Sequence, residues 1–192
     1  DEAAINALLQ LARDEKVEPS VRRFAALPLD GLERVDEAAI NALLELARDE
    51  KVEPWVRRFA ASSLGKLGRV DEAIPILLEL ARDEKLEPSV RRLAASSLGE
   101  LGRVDEAASI LLQLARDEKV EPWVRSYAAS SLGKLGRVDE AAIHALLQLA
   151  RDEEVESWVR HGAAFSLGKL GRVDEAAIHA PVSYTHLRAH ET

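Results

Sequence analysis

Histidines and arginine–aromatic clusters are the residues of this chain whose types and spacing could do chemistry. His186 and His190 stand at i, i+4, which on a helix would set two imidazoles on one face for a divalent metal. His144 and His179 hold the same position in adjacent copies of an internal repeat, where their rings could lie near one another. A metal site asks for more. The chain has no cysteine, no acidic residue converges on His144 and His179, and Asn6 and Asn41 stand at their position in earlier copies. These two histidines therefore read as exposed polar positions that drifted from asparagine. Gly-rich phosphate loops and nucleophile elbows are absent. No catalytic residue, metal or cofactor is expected, and the chain reads as a non-enzyme.

The elements that position these residues come as near-copies of one 34- or 35-residue unit, beginning at Asp1, Asp36, Asp71, Asp105 and Asp139, with a sixth begun at Asp174. Residues 1–180 are expected to be one repeat domain, divided at 1–35, 36–70, 71–104, 105–138, 139–173 and a partial 174–180. Such a core is built additively, each unit burying its apolar side against its neighbours. In the second copy, Asp36 is a good N-cap and Glu37 favours the positive end of the helix dipole. Ile40, Leu43, Leu44 and Ala47 then form one apolar stripe at helical spacing. Asp49 to Glu53 is a charged turn, and Pro54 suits the first turn of a second helix. Val56, Ala60, Leu64 and Leu67 are its expected core stripe, Ala61 and Gly65 allow close helix approach, and Gly68 supplies the stop. The first copy departs from this pattern: Pro28 lies deep in its second helix and predicts an early end or kink near Ala25 to Pro28. Copies three and four each lack one residue early in the first helix, and Pro75 is expected within the first turn.

Tetratricopeptide repeats share the 34-residue period, but their early Trp, Leu-Gly and Tyr and closing proline are missing, as is the Thr-Pro-Leu-His of ankyrin repeats. Pro54, Val56, Arg57, Ala60, Ala61, Leu64, Gly65, Leu67 and Gly68 recur in copies three to five, with Ser157 the one substitute for the proline. This pattern resembles the short HEAT-like repeat of the bilin lyase type, over Asp1 to Ala180. The resemblance implies an all-α fold, a right-handed α-solenoid of stacked antiparallel helix pairs whose second helices line the concave side. It also implies a ladder pairing each turn aspartate with a second-helix arginine: Asp49 with Arg57, Asp83 with Arg91, Asp117 with Arg125, Asp152 with Arg160. The di-iron hydroxylase built from HEAT-like repeats needs His-Glu pairs, and these repeats contain none.

Among the second helices, the copies differ mainly at four positions, represented by Trp55, Arg58, Phe59 and Ser62. Their i, i+3, i+4, i+7 spacing covers an arc of roughly 100° facing away from the core stripe. All three tryptophans, all three phenylalanines and the one tyrosine outside the tail fall on them. A strip of rigid apolar rings with arginine among them has the composition of a protein-binding surface. Its candidate residues are Arg23, Phe24, Trp55, Arg58, Phe59, Arg92, Trp123, Tyr127, Trp158, His161 and Phe165. The competing reading has the same rings pack between adjacent second helices. Gly162 and Phe165 carry their own pair of alternatives: the ring fills the space left by the glycine, or the two make a notch. With helices about 10 Å apart, five copies would present a strip on the order of 50 Å, suited to an extended peptide or a partner's helix.

The expected function is a protein- or peptide-binding scaffold acting as a monomer. A second reading makes it the accessory or sensor region of a larger enzyme, a signalling NTPase or a bilin lyase. Nucleic acid is disfavoured: Arg23, Arg58 and Arg92 lie beside rings as single strands favour, but acids at the turns and helix starts would repel phosphate, and the net charge is −8. No apolar run approaches the roughly 20 residues that span a bilayer, so no membrane role is expected. The lack of cysteine suits a reducing compartment, hence a cytoplasmic location. Starting in phase with a repeat and without methionine, the chain reads as an interior fragment. After Ala180 the repeat text stops at Pro181, and from Val182 the segment resembles one reading frame of a transposase adapter used in sequencing libraries; residues 181–192 are taken as a non-native tail of a bacterial, metagenomic sequence, so no function is given to His186 or His190.

Overall fold

The computed structural model describes residues 37–172 together with Ala7, Gln10, Leu11, Asp14, residues 16–18, Val21 and Arg22. The kink expected at Ala25 to Pro28, and the positions of Arg23, Phe24, His179 and the tail, lie outside the described residues. Within them are eight α-helices and no strand: α1 (Glu37–Arg48), α2 (Pro54–Lys66), α3 (Val70–Arg82), α4 (Pro88–Glu100), α5 (Val104–Arg116), α6 (Pro122–Lys134), α7 (Glu140–Arg151) and α8 (Ser157–Lys169). The chain divides into two compact units, residues 1–110 and 111–192. A stack whose repeats touch only their neighbours has no single centre to forbid such a division.

Each second helix starts where a proline can. Pro54, Pro88 and Pro122 occupy the first helical turn, and Ser157 starts α8 at the same place. The preceding turn is closed by its aspartate. Asp49 Oδ1 accepts from the Lys51 amide at 3.0 Å, and Asp83, Asp117 and Asp152 repeat the bond at 2.9, 3.0 and 3.0 Å. Second helices stop at Gly68, Gly102, Gly136 and Gly171, whose φ of 73° to 85° lies where L side chains are strained.

In the first unit, Leu43, Leu46, Leu64, Leu77, Leu80 and Leu98 are fully buried. Leu46 takes the place in the α1 stripe expected of Leu44, which is half-buried, as is Leu67 at the C-cap of α2. The buried side of α2 is wide, including Val56 to Arg58 and Ala60 to Gly65, because α1, α3 and α4 all pack on it. In the second unit Leu111, Leu114, Leu132, Leu146 and Leu167 form the corresponding layer, and α8 packs on both α6 and α7.

The aspartate–arginine ladder does not form. Arg57 Nε instead donates to the Ala47 carbonyl at 3.1 Å, Arg91 to Ala81 at 3.3 Å and Arg125 to Ala115 at 3.2 Å. Carbonyls in the last turn of a helix lack intrahelical donors, and a buried guanidinium supplies them. The aspartates are already engaged by their own turns. The outer nitrogens of the arginines reach glutamates of the following copy: Arg22 to Glu53 at 2.7 Å, Arg57 to Glu79 at 2.8 Å, Arg125 to Glu156 at 2.7 Å.

The shortened copies are repaired at the helix start. Helices α3 and α5 begin at Val70 and Val104, one residue before the aspartates, and so reach 13 residues each, against 12 in α1 and α7. Asp139, by contrast, caps α7 by accepting from the Ala142 amide at 2.7 Å. The early start places Pro75 sixth in α3, in its second turn and past the first turn where proline costs nothing. Arg69 and Arg103 sit before these starts and bond Glu72 and Glu106, holding both carboxyls below the usual carboxylate range.

Candidate functional site

The four variable positions of the second helices meet different fates in the two units. In the first, Arg58 is 7% exposed and its guanidinium lies 4.1 Å from the centroid of the Phe59 ring and 5.9 Å from that of Trp55. Trp55 and Phe59 are half-buried beneath it. Ser62 is buried and shares a 2.6 Å hydrogen bond with Ser97 of α4, so the fourth position lies in the packing between second helices. Arg92 and Leu93 are half-buried, and Ser89 is buried. The outward face expected from the helical wheel is therefore covered at Arg58 and Ser62, because a wheel describes one helix and α2 has a second helix beside it.

In the second unit the rings stand out. Trp123 is 53% exposed, Tyr127 58%, Trp158 70% and Phe165 42%. His161 is exposed beside them. Trp123 and Tyr127 meet edge to face, centroids 6.3 Å apart, and Lys169 Nζ lies 5.6 Å from the Phe165 centroid. Trp123 and Tyr127 differ from the ring pair of the first unit in having Ser126 at the place Arg58 holds in copy two. A serine cannot reach over Trp123 and Tyr127 as the longer arginine reaches over Trp55 and Phe59. Its hydroxyl turns to the neighbouring helix instead, donating to the Trp158 carbonyl at 2.7 Å.

That bond begins a seam along which α6 and α8 touch backbone to backbone. Gly162 faces the Ser126 carbonyl so closely that a methyl group there would overlap it. Further along, Ser166 Oγ donates to the Ala129 carbonyl at 2.7 Å, and a methyl on Gly133 would stand 2.7 Å from Ser166 Cα. Neither expectation for Gly162 holds: Phe165 does not fill its space, and no notch is left there, since the α6 backbone occupies it. The seam serines, Ser97 and Ser166, were not singled out in the sequence; their signal was a serine repeated in copies two to five, at Ser63, Ser97, Ser131 and Ser166, equally explicable as any small residue.

On the first-helix side of the second unit, Arg116, Arg125, His144, Gln148, Arg151 and Asp152 line an open cleft of about 570 Å³, with Arg116 donating to Gln148 at 3.0 Å. Among the described residues no group of three or more His, Asp or Glu side chains could hold a metal ion. None of their helices is long and apolar enough to cross a membrane.

Against known families, the chain matches the model for HEAT repeats over residues 5–87 and 84–168. Among solved structures it is similar to human deoxyhypusine hydroxylase in complex with glycerol, at 25% identity and a TM-score of 0.47. That alignment covers 92% of this chain and 66% of the other. No curated protein sequence matches it.

Proposed function

Because the chain belongs to the HEAT-repeat family, we propose that it is a non-enzymatic scaffold that binds a protein or peptide on the exposed rings of its second helices. One observation carries this: two tryptophans, a tyrosine and a phenylalanine, each 42% to 70% exposed, gather on two adjacent helices. Water-exposed aromatic area of this kind contributes nothing to the stack that holds it, and buries well against a partner. The rings stand on helices locked by the Ser126, Gly162 and Ser166 seam, so little ordering entropy opposes binding. The site is thereby narrowed to Trp123, Tyr127, Trp158, His161 and Phe165, with Trp55, Arg58 and Phe59 supporting the fold.

The test separates binding from packing. In the Trp123→Ala, Trp158→Ala double variant, helicity and thermal midpoint should stay close to the parent while capture of partners is lost. A large fall in the midpoint would instead assign those rings to the core.

A further inference from the structure

We propose that the ring face of the second unit receives a proline-rich segment in polyproline II conformation that carries lysine or arginine between its prolines; this rests on the peptide-binding reading above and names its ligand. Spacing is the first argument. Trp123 and Trp158 are each the second residue of their helices, α6 and α8, one repeat apart. Packed helices lie about 8–10 Å apart. A polyproline II helix has 3 residues per turn and rises 3.1 Å per residue, so prolines at i and i+3 fall on one side about 9 Å apart. Two prolines of one segment can therefore meet the two indoles in turn.

Shape excludes the other common guests. An amphipathic helix is about 10 Å across and needs a groove to lie in. Here α6 and α8 touch at Ser126 with Gly162 and at Ser166 with Ala129, and so close an approach makes the valley between them shallow. Strand addition needs a sheet edge, and no strand exists among the described residues. A polyproline segment is slender, makes no internal hydrogen bonds and lodges between standing rings.

Charge selects the residues between the prolines. Glu121 precedes Trp123 by two residues and Glu156 precedes Trp158 by two, with Glu153 and Glu154 in the same turn, and all four are exposed. Only Glu156 of these is held by an ion pair, to Arg125 at 2.7 Å. The first unit displays the complementary chemistry within the chain itself: the Arg58 guanidinium covers Phe59 and Trp55. Ser126 is too short to cover Trp123 in this way, so a cation from outside can meet that indole, which is 53% exposed.

The full chain is titrated with a peptide of four Pro-Pro-Lys triplets, followed by tryptophan fluorescence, and with Gly-Gly-Lys and Pro-Pro-Glu peptides of equal length. Pro-Pro-Lys should bind, with affinity falling about tenfold in Trp123→Ala and in Trp158→Ala, and about tenfold for either control peptide. Equal affinity for Pro-Pro-Glu, or indifference to both substitutions, overturns the proposal. An amphipathic Leu-rich helical peptide is titrated in parallel. If it binds through Trp123 and Trp158 while Pro-Pro-Lys does not, the polyproline proposal falls and the peptide-binding reading stands. If no peptide responds to either substitution, both fall.

Discussion

At the residue scale, one exchange separates the ring pairs of α2 and α6. Arg58 lies over Trp55 and Phe59, whereas the equivalent Ser126 bonds the Trp158 carbonyl and Trp123 and Tyr127 are 53% and 58% exposed. A cation over a ring contributes about 2 kcal/mol where it is desolvated, as the 7%-exposed Arg58 is, and its aliphatic stem adds packing. Arg58→Ala is therefore expected to lower stability by about 2 kcal/mol and to shift the Trp55 emission to longer wavelength, readable in a variant whose other two tryptophans are phenylalanine. An unchanged spectrum would show that the guanidinium does not shield the indole. The variable positions themselves were legible by comparing copies within the sequence. Their exposure was not, because Arg58 and Ser62 face a neighbouring helix that no wheel contains. The Ser62–Ser97 bond joins residues 35 apart, and neither residue by itself signals the other.

At the scale of the element, helix starts and stops followed their local signals, Pro54 at one end and Gly68 at the other, because caps depend on a few adjacent residues. Pro75 did not. The start of α3 moved back to Val70, turning a tolerated first-turn proline into an interior one whose missing N–H leaves the Asp71 carbonyl without its helical donor. The glycines of α8 make the sharpest contrast. Gly168 has no atom within 4 Å of the place a methyl would take, whereas Gly162 is pressed against Ser126. Gly168→Ala should accordingly stabilise the protein by about 0.5–1 kcal/mol. Gly162→Ala should destabilise it by about 1–3 kcal/mol by overpacking the seam, and urea midpoints of the two variants should move in opposite directions. Movement in the same direction would mean that α6 yields at the seam.

At the scale of the whole molecule, 34 acidic against 26 basic residues set a field that disfavours polyanions. Exposed tryptophans alone would suit single-stranded nucleic acid, so charge is the discriminating term. Single-stranded DNA added at about 0.15 M salt should leave tryptophan emission unchanged. Quenching that weakens with added salt would reveal a basic path across the surface that net charge conceals. The sequence by itself determined the helix pairs, their period and their membership of the HEAT-repeat family, since capping, apolar spacing and repetition are local properties that each copy states again. Only the tertiary structure decided which aromatic positions are surface and which are support. Exposure belongs to a residue together with its neighbours from the next repeat, as at Ser62, which is buried against Ser97 of α4.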